Sequence, residues 1–320
     1  MKLIVKIIAV VIILIAAFVM YLSMFLPNIP VQEDLEIEIT DERIERGKYL
    51  ANHVTVCIDC HSSRDWSKFS GPVKFNSEGM GGEKFDQEMG MPGSYYAPNI
   101  TPYGLGDWTD GEIYRAIVSG VNKHGKALFP IMPYPGYGKM DKEDIYSIIV
   151  YLRTLPAKTS DIPVSKSDFP MSIIINTIPS EPEHSILPKD RVSMEYGAYM
   201  VNAGGCIDCH TPMEKGQIIT EMKFAGGMEF NMSDGILTSP NITPDNETGI
   251  GTWTEEYFIQ RFKSYDEANS NDDQHSLMQY NTVMPWTMYA GMDSTDLKSI
   301  YRYLMSLEPI TNEINHFISK

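Results

Sequence analysis

The same five residues, Cys-Ile-Asp-Cys-His, stand at 57–61 and again at 206–210, and together they use every cysteine in the chain. Around each copy the same landmarks recur in one order. Gly47-Lys48-Tyr49-Leu50 answers Gly197-Ala198-Tyr199-Met200, and Gly81-Gly82 answers Gly226-Gly227. Pro98-Asn99-Ile100-Thr101-Pro102 answers Pro240-Asn241-Ile242-Thr243-Pro244, and Trp108-Thr109 answers Trp253-Thr254. Met132-Pro133 answers Met284-Pro285, Met140-Asp141 answers Met292-Asp293, and Tyr151-Leu152 answers Tyr303-Leu304. A run of ordered matches this long implies a duplicated domain of about 110–120 residues, a common domain size. The first copy spans 41–157 and the second 191–310. Between them, 158–190 carries Pro163, Pro170, Pro179, Pro182 and Pro188 and reads as a linker, with the apolar run from Met171 to Ile178 expected to pack on a domain. Residues 28–40 form a stalk and 311–320 a tail.

Each copy reads as mostly helical. Thr40 is placed to cap a helix from Asp41 to Asn52, with acids in its first turn. Thr109 with Glu112 forms a capping box opening a helix to Ser119. Lys142 to Thr154 and Ser294 to Leu307 are amphipathic and close the two copies. The glycine-rich stretches 71–98 and 224–240 are loops with a short hairpin at most.

The N-terminus differs from the rest. Lys2 and Lys6 precede an uncharged run from Ile7 to Leu26, long enough to cross a hydrocarbon core as a helix. A cleaved signal peptide has a shorter apolar core and a small-residue cleavage site, whereas this run ends in Met24-Phe25-Leu26-Pro27. Residues 1–27 therefore read as an uncleaved anchor. The lysines before the span keep the N-terminus in the cytoplasm and put the remainder, beginning with Glu33, Asp34, Glu36 and Glu38, on the extracytoplasmic side. A net charge of −16 disfavours nucleic acid, which needs a basic footprint, and suits a protein partner with a basic face.

In an oxidising compartment four cysteines first suggest disulfides, and cross-bridges such as Cys57–Cys209 remain open from the count alone. The histidine after each pair points elsewhere. Cys-x-x-Cys-His is the attachment signature of c-type haem. Residues three and four apart share a helix face, so two thiols can each form a thioether while the histidine reaches the iron. A thioredoxin-like pair would need a βαβ setting, and a four-cysteine zinc site would leave both histidines without a task. The expectation is two covalently bound haem c groups: Cys57, Cys60 and His61 hold one; Cys206, Cys209 and His210 hold the other.

A sixth ligand remains to be found among 20 methionines. The repeat narrows the choice to Met132 with Met284 or Met140 with Met292. Met140 precedes the cap Asp141, with Ile145 at the fourth helical position, and Met292, Asp293 and Leu297 repeat the arrangement. That is a hydrophobic staple, a structural task. Met132 and Met284 instead lie in loops stiffened by the next proline, which suits a soft ligand, and they are the expected axial pair. His53 and His124 have no counterpart in the second copy; His184, His275 and His316 lie in linker, insertion and tail, and all five read as solvated. Asn99 and Asn241 read as turn-fixing side chains, beside a haem edge, and Trp108 and Trp253 as core aromatics.

With its two haem motifs, Pro-Asn-Ile-Thr-Pro, the glycine-rich stretch, Trp-Thr and Met-Pro-Tyr/Trp in order, the chain resembles the multihaem cytochrome c subunits of membrane-bound alcohol, aldehyde and gluconate dehydrogenases. The stretch from Asn241 to Thr254 follows that family's pattern closely, and the resemblance covers about residues 41 to 310. It departs where those subunits carry three haem motifs, where the first copy shortens to Pro102–Trp108, and in its N-terminal anchor. The resemblance implies two tandem cytochrome c domains, mostly α, on the periplasmic side of the inner membrane, with His61, His210, Met132 and Met284 on iron. It further implies electron transfer between a dehydrogenase, quinol-oxidising complex, oxidase or other cytochrome and a downstream acceptor. The alternative is a dihaem peroxidase, which needs one haem able to open a coordination site.

Overall fold

The computed structural model describes residues 1–33, 35–266 and 280–320; Asp34 and His275 lie outside them. Helix α1 (Lys2–Met24) buries none of its residues and is long and apolar enough to cross a membrane, by length and composition. One bond near its end joins it to the linker, from Asn176 Nδ2 to Leu22 O at 3.2 Å.

Thr40 starts α2 (Asp41–Tyr49), its hydroxyl accepting from Arg43 N–H while Asp41 and Glu42 fill the first turn. The helix continues as one π turn, Leu50–Val54, and then α3 (Cys57–Cys60). A long irregular stretch follows, holding only the antiparallel pair β1 (Lys84–Phe85) and β2 (Gly93–Tyr96) and one 3-10 turn. Next come α4 (Pro102–Leu105) and α5 (Asp110–Ser119), where Thr109 and Glu112 complete the expected capping box. The half ends with α6 (Tyr134–Tyr137) and α7 (Lys142–Thr154). The linker then adds β3 (Lys166–Ser167) to β2 and contains α8 (Met171–Ile174), which packs beside α1.

The order recurs in α9 (Met194–Ala203), capped by Ser193, and α10 (Cys206–His210). After the hairpin β4 (Met213–Glu214) and β5 (Gln217–Ile218) come β6 (Glu229–Asn231) and β7 (Gly235–Thr238). Then follow α11 (Glu255–Lys263), α12 (Trp286–Tyr289), α13 (Ser294–Met305), and from the tail β8 (Phe317–Ser319), which pairs with β7. In each half the segment after the closing helix thus adds the third strand of a small sheet.

The repeated glycine in the first landmark has a packing cause. A Cβ at Gly47 would lie 1.9 Å from Ser147 O, and one at Gly197 would lie 2.0 Å from Ser299 O. Only glycine lets α2 cross α7, and α9 cross α13, at backbone contact. Met140 and Ile145 are both fully buried, as are Met292 and Leu297 almost entirely, so the staple reading holds in both places. The cap itself differs. Asp141 accepts from Glu143 N–H, whereas Asp293 turns its carboxylate to Arg191.

The halves share one continuous core and meet reciprocally. Tyr199 donates its hydroxyl to Asp144 Oδ2 at 2.6 Å and accepts from Asp141 N–H at 3.1 Å. Tyr49 does the same to Asp296 Oδ2 at 2.6 Å and Asp293 N–H at 3.0 Å. Asn202 Nδ2 reaches Gly136 O, and His53 Nδ1 reaches Met288 O. The contact has the self-complementary logic of a twofold interface inside one chain.

Candidate haem sites

Each Cys-x-x-Cys-His segment begins immediately after a left-handed residue, Val56 with φ 45° in one case and Gly205 with φ 62° in the other. Glycine adopts that turn freely. A β-branched residue there stores strain of about 1–3 kcal/mol, a cost that marks a geometry held for a purpose. The turn lets a single helical turn start at the first cysteine, and His61 N–H bonds Cys57 O at 2.9 Å.

Both histidines are oriented identically from a distance in sequence. His61 Nδ1 lies 2.8 Å from Pro98 O, and His210 Nδ1 lies 2.9 Å from Pro240 O. A carbonyl only accepts, so Nδ1 carries the proton and Nε2 keeps its lone pair. Burial holds both imidazoles below the ordinary histidine pKa, the carbonyl bond opposing it, so they are neutral near pH 7. Gly81 N–H bonds His61 O and Gly226 N–H bonds His210 O, both at 2.8 Å. At Gly81 a Cβ would meet Ala97 O at 2.5 Å, with φ at +74°, so the Gly-Gly landmark threads a gap no side chain fits.

Asn99 and Asn241 fix the turns that present those carbonyls. Asn241 Oδ1 accepts from Thr243 N–H and Oγ1, and its Nδ2 donates to Thr248 Oγ1 and Ile310 O. Asn99 bonds Thr101 twice in the same way and reaches Lys158 O and Ser160 Oγ. The turn-fixing reading of these residues holds. Asn241→Ala is expected to cost about 2–3 kcal/mol, because buried partners lose their bonds; the denaturant midpoint measures it.

The four thiols are free, so no cross-bridge forms. Burial pushes Cys57 upward and Cys60 and Cys206 up to about 12, which keeps them protonated. Among the described residues no three His, Cys, Asp or Glu side chains gather as a metal site. A shared zinc centre has no support, while two thiols and a neutral imidazole on one helical turn fit a c-type haem.

The Met-Pro turns are built alike. Met132 O accepts from Tyr134 N–H at 2.7 Å, and Met284 O from Trp286 N–H at 2.8 Å. Both methionines are half-buried against the core. The one-turn helices that follow return a tyrosine to the haem segment: Tyr137 donates to Thr55 O and Tyr289 to Gly204 O, each two residues before the first cysteine. Met132 is thereby tied to the His61 segment and Met284 to the His210 segment. Sequence reasoning missed these tyrosines, although each stands five residues after its methionine. It also missed the Pro98 and Pro240 carbonyls. Two expectations need correction. His53 bonds Met288 O and is half-buried, and His184 is held between Met140 O and the Tyr114 hydroxyl, so neither is simply solvated. His124 and His316 are exposed.

No protein-family model matches the chain. It is 28% identical over 284 residues to the alcohol dehydrogenase (quinone) cytochrome c subunit of Gluconacetobacter polyoxogenes, covering 83% of this chain and 56% of that protein. The gluconate 2-dehydrogenase cytochrome c subunit of Pantoea cypripedii is 28% identical over 288 residues, 84% of this chain and 60% of its own. Over most of its length the chain is thus similar to cytochrome c subunits of dehydrogenases. A diheme cytochrome c-type protein of Cereibacter sphaeroides is likewise 28% identical over 227 residues, covering 66% of this chain and 72% of that protein. The chain spans little more than half the length of the two dehydrogenase subunits.

Proposed function

We propose that the chain is a membrane-anchored, extracytoplasmic dihaem cytochrome c that passes electrons from a dehydrogenase or quinol-oxidising complex to a downstream acceptor. The observation that carries this is the paired histidine geometry: in both halves Nδ1 is spent on a proline carbonyl and Nε2 is left to bind iron. Cys57 and Cys60 would hold one haem c by thioethers, and Cys206 and Cys209 the other. His61 and His210 would be the proximal ligands, Met132 and Met284 the distal ones. Bound there, haem c supplies a one-electron Fe(III)/Fe(II) couple. The repeat supports two tandem cytochrome c domains, 41–157 and 191–310, around the linker 158–190.

Helix α1 supports the anchor, and the tether would raise the effective concentration of the carrier near membrane partners. The charge of −16 favours a redox partner with a basic docking face. Two methionine ligands would leave no open coordination position, and the homologues give a peroxide-reducing enzyme no support. Oxidised and reduced absorption spectra of the purified chain, with its haem content, test the reading. Two haems per chain and a methionine-to-iron(III) charge-transfer band are expected, with Met132→Ala and Met284→Ala each removing about half of the band. A colourless chain from a haem-maturing host overturns the reading.

A further inference from the structure

Ser70 belongs to the first half, yet it is bonded into the Met-Pro turn of the second. Its hydroxyl donates to Met284 O at 2.6 Å and accepts from Trp286 N–H at 3.0 Å. Ser70 is fully buried and sits at φ +64°, a conformation a serine does not choose unaided. Two further residues, Asn281 and Arg64, hold it there, and a stack of rings lies beside it. Asn281 Oδ1 accepts from Ser70 N–H at 2.8 Å while its Nδ2 donates to Trp66 O and Lys68 O. Arg64 donates to Ser70 O and Gly71 O, both at 2.7 Å, lies over the Trp66 ring, and pairs with Asp59 at 3.1 Å. Phe69, Tyr265 and Trp286 stack in series at 5.5 and 4.8 Å. A continuous path of bonds therefore runs from Asp59, inside the first Cys-x-x-Cys-His segment, through Arg64 and Ser70 to the backbone of Met284.

The arrangement is one-sided. Among the described residues, the only bond to the backbone of Met132 comes from its own turn, Tyr134 N–H. Pro133 lies near Gly205, where an added Cβ would come 4.0 Å from the proline ring, but no bond joins them.

We propose that Ser70 is a positioning residue for the second haem: the first half holds Met284 on the second iron, and the site at His210 is incomplete without it. This rests on the reading of Met284 as an axial ligand. A methionine–iron bond is weak and depends on the loop that carries it. Pinning both the carbonyl of Met284 and the amide two residues on removes the freedom by which the thioether would swing away. Among the described residues the Met132 turn has no such pin, so the two thioethers differ in lability, with Met132 displaced first by an added ligand.

Ser70→Gly and Ser70→Ala in the full-length holoprotein test this. Glycine removes the hydroxyl but relaxes the left-handed backbone, so the loss of the two bonds is partly offset and the ligand readouts, not the denaturation midpoint, decide. Both variants should retain two haems. Imidazole should displace the methionine of one haem ~10–100-fold more readily, the usual consequence of losing an outer-shell partner, with a matching loss from the charge-transfer band. In a Met132→Ala background, where only the Met284 band remains, the loss should fall on that remainder. Wild-type imidazole affinity and an unchanged band in both Ser70 variants overturn the proposal, whatever their denaturation midpoints. Met284→Ala separates the two levels. If it leaves the band intact, the ligand assignment fails; if it removes half of the band while the Ser70 variants remain like wild type, only the positioning role fails.

Discussion

Replacing Cys57 and Cys60 together by alanine is expected to give a chain with one haem instead of two, and with a first half far less stable than the second. Between Ser62 and Thr101 the first half has no named helix or strand beyond β1, β2 and one 3-10 turn, with a single bridge between Arg64 and Val73. His61 ties two distant points of it, its carbonyl accepting from Gly81 N–H and its ring Nδ1–H donating to Pro98 O. Thioethers persist on unfolding, so a covalently held haem stabilises the fold through the iron ligation and burial that it gains only in the folded state, both favoured by the high effective concentration of a tethered group. Losing it should lower the denaturation midpoint of the first half more than that of the second. Haem content and intact mass give the first readout, and denaturation followed by limited proteolysis of residues 62–101 gives the second. Retention of two haems would mean that the thiols are not the attachment points. The mirror variant, Cys206→Ala with Cys209→Ala, should spare the Met132 band. The Cys57 and Cys60 variant should also weaken the Met284 band, because Ser70 lies in the half being loosened.

What could be read in the sequence was what is local. The Cys-x-x-Cys-His turn closes within five residues, the Thr109 box within four, and the Met140 and Met292 staples within six, so residue type and spacing were sufficient for each. The histidine clamp was not legible. It joins His61 to Pro98 and His210 to Pro240, across 37 and 30 residues, through a backbone carbonyl that every residue type possesses. Pro-Asn-Ile-Thr-Pro was visible as a repeated turn, and only the fold shows what the turn presents. His53 and His184 were misjudged for a related reason, since their partners, Met288 O and Met140 O, are also main-chain atoms brought in by long-range packing. Ser70 carried no signal at all, because the pairing that gives it a role crosses between the halves and occurs once.

The interface between the halves should be the most sensitive structural feature outside the haem segments, and Asp144→Ala its most damaging single change. Asp144 is buried, receives Arg46 Nε at 2.8 Å and Nη2 at 2.7 Å, and takes the Tyr199 hydroxyl from the other half. Removing the carboxylate leaves a largely buried guanidinium and a tyrosine hydroxyl with no acceptor. Breaking one side of such a pair costs about 3–5 kcal/mol. Tyr199→Phe deletes a single charge-assisted bond and should cost about 1.5–3 kcal/mol. Asp296→Ala is the mirror change, leaving the Tyr49 hydroxyl without its acceptor, and is expected to cost less because Arg191 keeps Asp293 and its side chain is 46% exposed, so water takes over part of its charge. Arg191 lies over the Tyr196 ring, joining the second cluster to the helix that carries Tyr199. The Asp144 and Asp296 losses should therefore couple rather than add, with an interaction energy of about 0.5–3 kcal/mol in a double-mutant cycle. Denaturant unfolding of the holoprotein measures all four variants. Strict additivity, or Asp144→Ala within about 0.5 kcal/mol of wild type, would mean that the reciprocal tyrosines do not hold the halves together. That outcome would also remove the rigid frame on which the proposed steadying of Met284 by Ser70 depends.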